Sequence, residues 1–201
     1  MTRCPWWIPV LVLLLTEAQL AVAEFVPGID RFADKAFGAR LVAYPVLMLV
    51  APAIWWLLSR RRGRPTDDPP YGAFTLIMLG FLVDVTGNSL DLYDTVTWWD
   101  DLNHFANWLL LLGGIGLLLA PSVRERWVLV LLVAGLGAAL AIGWELGEWF
   151  TFIRHGTEIE TAYEDTLGDE ALGTLGALVA GLLLAWRQPD RTTADRVTSR
   201  G

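Results

Sequence analysis

The stretch 127–150, WVLVLLVAGLGAALAIGWELGEWF, carries no charge until Glu145, and reading it decides the fold. Crossing the hydrocarbon core of a bilayer takes about 20 residues of apolar helix. No strand-like alternation competes with that reading, and a helix satisfies its own backbone in lipid without a neighbour. Five further segments read the same way, over 5–23, 39–59, 72–93, 102–120 and 168–186. The 201-residue chain is 54% hydrophobic and 18% charged, too apolar for a soluble domain of this size. The expected fold is therefore all-α, a polytopic transmembrane helical bundle of about six spans whose constant partner is the lipid bilayer.

Three regions follow from composition. Residues 1–23 read as an N-terminal transmembrane helix or a signal peptide, because Arg3, a short apolar stretch and Ala21-Val22-Ala23 before Glu24 fit both. Cleavage there would leave five spans and move none of the later ones. Residues 24–186 form the bundle, with 24–38 expected as a short interfacial helix built on Phe25, Ile29, Phe32 and Phe37. Residues 187–201 are polar and expected to be a disordered tail. Cys4 is the only cysteine, so no intramolecular disulfide forms.

Basic residues set the orientation. Placing 60–71, 121–126, the N-terminus and the tail in the cytoplasm gathers eleven of the fifteen there, among them Arg60, Arg61, Arg62, Arg64, Arg124 and Arg126. Only Arg31, Lys35, Arg40 and Arg154 remain outside, which is the positive-inside pattern of a bacterial cytoplasmic membrane protein with both termini inside. The net charge of −7 is the sum of an acidic outer face and a basic inner one, and the acidic balance argues against nucleic acid as a partner. Trp6, Trp7, Trp55, Trp56, Trp127 and Trp186 mark the inner interface, and Trp98, Trp99 and Trp149 the outer one. Trp108 and Trp144 fall deeper, where they either wall a site or pack between helices.

The chemistry-bearing residues collect at the outer ends of four spans. Asp84, Asn88 and Asp91 lie in the third, Asp100, Asp101 and His104 open the fourth, Glu145 and Glu148 close the fifth, and Asp165 and Asp169 open the sixth. Acids at the N-termini of the fourth and sixth spans are favoured by the helix dipole, by about 0.3–1 kcal/mol each. Those of the third and fifth spans approach C-terminal ends, where the dipole opposes them. Asp84 is the most anomalous: about 18 Å along its helix from Gly72, it lies too deep for a short side chain to reach water. It must be protonated, paired, hydrated or bound to a cation.

At about 100° per residue, Asp84, Asn88 and Asp91 share one stripe, as do Asp100, Asp101 and His104. Asp165, Asp169, Gly173 and Gly176 share another, with the glycines letting a neighbour approach beneath the acids. Gly135, Ala139, Gly143 and Gly147 repeat every fourth residue opposite Glu145 and Glu148, as a small-residue stripe suited to close helix contact.

The strings WDDLNHF, WELGEW and DTLGDEALGTLGA, on successive spans, resemble the uncharacterised bacterial inner-membrane family typified by YjdF. The resemblance covers about residues 70–185 and implies shared positions at Asp100, His104, Glu145, Glu148, Asp165 and Asp169. One departure is Trp108, where it implies a small residue. It implies no particular activity.

Two functional readings arise, beside a structural one. Carboxylates with one imidazole suit a divalent metal ion, with Asp91, Asp100, Asp101, His104, Glu145, Glu148, Asp165 and Asp169 as candidate ligands. Asp84, His104, Glu145 and Glu148 are the candidate catalytic groups for metal-assisted hydrolysis or lipid chemistry at the outer leaflet. Alternatively the acids serve a proton- or cation-coupled carrier, or bind a small molecule, ion or lipid. In the structural reading they pair with Arg40, Arg154 and buried amides. One outward-opening cavity holding Asp84, Asp91, His104, Glu145 and Asp169 is the expected geometry.

Overall fold

A computed structural model describes residues 4–33, 35–61, 68–151, 153–155 and 162–188. Six long helices carry the chain back and forth: α1 (Trp7–Phe25), α2 (Phe37–Arg61), α3 (Tyr71–Ser89), α5 (Trp99–Leu119), α6 (Arg126–Thr151) and α7 (Ala162–Arg187). A one-turn helix, α4 (Leu92–Thr95), lies between α3 and α5. All six long helices are long and apolar enough to cross a membrane, and no strand occurs among the described residues. The alternation brings the C-terminal ends of α1, α3 and α6 and the N-terminal ends of α2, α5 and α7 to one end of the bundle.

The helices pack in two groups joined by α3 against α5. In one, α1, α2 and α3 share a core of Val12, Leu20, Tyr44, Met48, Met78 and Val85. Here α1 continues through Ala21–Ala23 and fully buries Thr16 and Leu20. In the other, α5, α6 and α7 enclose Trp108, Leu112, Leu129, Val133, Ala177 and Ala180. The outward-facing side chains are large and apolar, such as Val42, Val46, Leu131, Leu146 and Leu182. Such a surface is matched by hydrocarbon rather than water.

Boundaries move where charge masks the hydropathy signal. Helix α7 begins at Ala162, six residues before the expected 168, because Glu164 and Asp165 in its first turn lower the mean hydropathy while complementing the helix dipole. Helix α5 likewise starts at Trp99, ahead of 102, with Asp100 and Asp101 in its first turn. The third span ends early instead. It stops at Ser89, and Asp91 takes a left-handed conformation at φ 63°, which Asp tolerates better than most residues. The interfacial helix expected over 24–38 is reduced to a 3₁₀ turn at Asp30–Phe32. Pro27, without an amide hydrogen, and Gly28, at φ +79°, turn the chain before it.

The glycines of α7 act as read from sequence. A Cβ at Gly176 would stand 2.3 Å from the Phe105 carbonyl oxygen, and one at Gly173 would stand 2.6 Å from Trp108. Trp108, the departure from the family pattern, is thus accommodated by the missing side chain of Gly173. The stripe on α6 corrects the expectation. Gly135, Gly143 and Gly147 face open space, and close contact runs through Gly137 against Ala177. Several faces of a helix can carry small residues, and packing selects one of them.

Candidate functional site

The polar residues at the shared end divide into two groups by the partners they keep. The first surrounds Asp84. Arg40 Nη1 donates to Oδ2 at 3.2 Å, and Tyr44, one turn further along α2, donates to the same oxygen. Tyr93, carried inward by α4, donates to Oδ1 at 2.8 Å, and Asn88 donates to Oδ1 at 3.2 Å. A carboxylate has about four lone-pair sites, so these donors fill it. The network continues as Asn103 donates to the Tyr93 hydroxyl and Asn107 donates to Asn103 at 2.9 Å. Burial, then the neighbouring Asp84 carboxylate, pushes the Tyr93 phenol upward, so it remains a donor. Asp84 therefore has its partner from within the chain, and the partner is Arg40 rather than His104 or a cation shared with Glu145.

Asp91 also leaves the expected cavity. It belongs to the turn between α3 and α4, where Lys35 Nζ lies 2.5 Å from Asp91 Oδ1 and 2.6 Å from Asp94 Oδ2. The hydrogen bond from Lys35 holds the Asp91 carboxyl below its usual range. Burial lowers the Lys35 ammonium, but its bonds to Asp91 and Asp94 outweigh this and leave it above its ordinary value. The sign of the pH dependence follows. The Asp91 contribution is complete above about pH 4 and lost as pH falls through its depressed value. The Lys35 contribution is complete below about pH 10.4 and lost as pH rises through its elevated one. Lys35→Met should lower the thermal midpoint of the purified protein between these limits and match the wild type outside them. A midpoint difference constant across the range would show that the pair does not clamp the turn.

The second group lies between α5, α6 and α7. His104 Nε2 stands 3.5 Å from Asp100 Oδ1, one turn earlier on α5, and 3.6 Å from Asp169 Oδ1 on α7. One donor atom from each of the three lies within 4.8 Å of the others. Asp169 and Glu145 are buried. Glu145 lies beside Thr166 and in electrostatic range of His104. Glu148 accepts a hydrogen bond from Trp144 Nε1 at 3.0 Å and is in range of Glu145 and His104. Asp165, at an exposed position one turn before Asp169, adds its charge to this region. Of the two acids that open α5, Asp100 pairs with His104 at i, i+4, while Asp101 is exposed. The rotation of α5 against α7 turns the Asp100–His104 face, rather than Asp101, toward Asp169.

Tyr44, Tyr93, Asn103 and Asn107 were not among the sequence candidates, whereas Arg40 was named there as a partner for the acids and pairs with Asp84. A signal existed for some of them: Arg40 and Tyr44, and likewise Asn103 and Asn107, are i, i+4 polar pairs within or at the edge of apolar spans. Tyr93 had none, because its role depends on the turn at Asp91.

No curated protein and no solved structure matches the chain. Residues 8–190 match the profile of a family described as predicted membrane protein (DUF2238). With its six apolar helices and this match over nearly the whole sequence, the chain belongs to the DUF2238 family of membrane proteins.

Proposed function

We propose that the α5–α6–α7 end of the bundle binds one divalent metal ion through Asp100, His104 and Asp169, with Glu145 and Glu148 beside it. The spacing of the three donors carries this reading. Distances of 3.5 and 3.6 Å from the imidazole nitrogen exceed the hydrogen-bond range of about 2.7–3.2 Å. They suit ligands of a common ion: bonds of about 2.0–2.6 Å place neighbouring ligands roughly 3–5 Å apart. Charge supports the same conclusion. Among the described residues no Lys or Arg forms an ion pair with Asp100, Asp169, Glu145 or Glu148. Arg40 lies in electrostatic range of Glu148 without pairing with it, and four carboxylates around one imidazole still favour an added cation.

Three protein ligands would leave coordination positions open on a bound ion, the arrangement that metal-assisted hydrolysis uses. In this reading Glu148 and Glu145, both in electrostatic range of His104, would take the proton from an attacking water. Below the site the core is apolar, built of Leu112, Leu129, Val133 and Ala177. This favours a binding or hydrolytic centre over a carrier, which needs a polar path to the other end. Following the positive-inside pattern, the site faces the outer side of a bacterial cytoplasmic membrane, within reach of a substrate from the outer leaflet.

Elemental analysis of the full chain, followed by calorimetric titration of the chelated protein with Zn²⁺, Mn²⁺ and Ca²⁺, tests the reading. One ion per chain is expected for at least one metal. Absence of co-purifying metal together with no binding heat at millimolar concentrations would overturn it.

A further inference from the structure

At the opposite, arginine-bearing end of the bundle a cleft of about 370 Å³ opens between α1, α2 and α3. Val10 and Leu13 of α1, Pro52 and Trp56 of α2 and Phe74 and Met78 of α3 contribute to its walls. Pro52 lies inside α2 and removes one backbone donor there. The volume is that of a small-molecule pocket, commonly about 300–1,000 Å³. Its lining offers too few hydrogen-bonding groups to hold ordered water, which needs two to four polar partners. In a bilayer such a space takes hydrocarbon.

The rim identifies which hydrocarbon. The Arg60 guanidinium stacks 3.8 Å from the centroid of the Trp56 ring, so it is held at the mouth of the cleft by a wall residue. Among the described residues no carboxylate pairs with Arg60, which leaves its planar edge to bind a phosphate. Arg61 follows it, and Arg62 and Arg64 come next in sequence. The adjoining segment 62–67, Arg-Gly-Arg-Pro-Thr-Asp, has no large apolar side chain with which to fill the cleft itself. We infer that the cleft holds an acyl chain of an anionic phospholipid of the inner leaflet, with the lipid phosphate on Arg60. Basic sites between transmembrane helices on the cytoplasmic side have this chemistry.

The test is native mass spectrometry of the full chain released from nanodiscs of equal phosphatidylethanolamine and phosphatidylglycerol. The wild type should retain one phosphatidylglycerol. Arg60→Gln should lower that retention by about tenfold or more, the loss of one charge-assisted contact. Val10→Trp, at a position 44% exposed where a larger side chain intrudes on the cleft rather than the core, should abolish it. Both variants should keep the wild-type thermal midpoint. Equal retention of the two lipids, retention unchanged in both variants, or a second copy of the chain in place of lipid would overturn the assignment.

Discussion

Asp84→Asn is expected to destabilise the bundle by about 3–5 kcal/mol, the cost of leaving a buried charge without its partner. The Arg40 and Asp84 side chains are 20% and 15% exposed, so little water replaces the lost carboxylate around the guanidinium. Asparagine keeps the shape, but its amide nitrogen faces donors on both sides, from Arg40 and Tyr44 at one oxygen and Tyr93 and Asn88 at the other. At least one of those contacts becomes donor against donor. Adding Arg40→Gln should recover a large part of the loss, because it removes the orphaned charge. Reversible unfolding in mixed micelles over the double-mutant cycle would measure both effects. An Asp84→Asn protein of wild-type stability that has lost its metal would return Asp84 to the functional group and remove it from the structural one.

The opposite pattern is expected at the second group. His104→Gln and Asp169→Asn should each lower metal affinity by about 100-fold or more, since a ligand is removed rather than one of its supports. The metal-free Asp169→Asn protein should be as stable as the wild type or more so. It has one carboxylate fewer among Asp100, Glu145 and Glu148, and like charges held together oppose folding. Asp101→Asn provides the internal control: Asp101 is exposed on the same first turn of α5, and its loss should leave affinity unchanged. Calorimetric titration of the three variants separates the possibilities. Equal affinity losses in all three would mean that the acids act as a diffuse field rather than through the spacing of Asp100, His104 and Asp169.

Membrane partition and local helical phase were legible in the sequence. Apolar length marked all six spans, because a helix crossing lipid must satisfy its backbone internally and cover itself with hydrocarbon. Odd and even spans then had to bring the acid-bearing ends together. Spacing placed Asn88 on Asp84 and Gly173 and Gly176 on the face that meets α5, since the rotation per residue is set by the backbone alone.

What the sequence left undecided was which helix meets which, and at what rotation. Lipid chains are as apolar as leucine, so apolar spans have little hydrophobic preference for one neighbour over another, and close packing makes the choice. That choice put Arg40 and Tyr44 against Asp84, turned His104 and Asp100 rather than Asp101 toward Asp169, and left the glycine stripe of α6 facing outward. The turn at Asp91 was equally hidden, because the clamp by Lys35 that accompanies it comes from 56 residues away. One polar cavity became two groups because each carboxylate's partner is a property of the assembled helices, not of the strand of sequence that carries it.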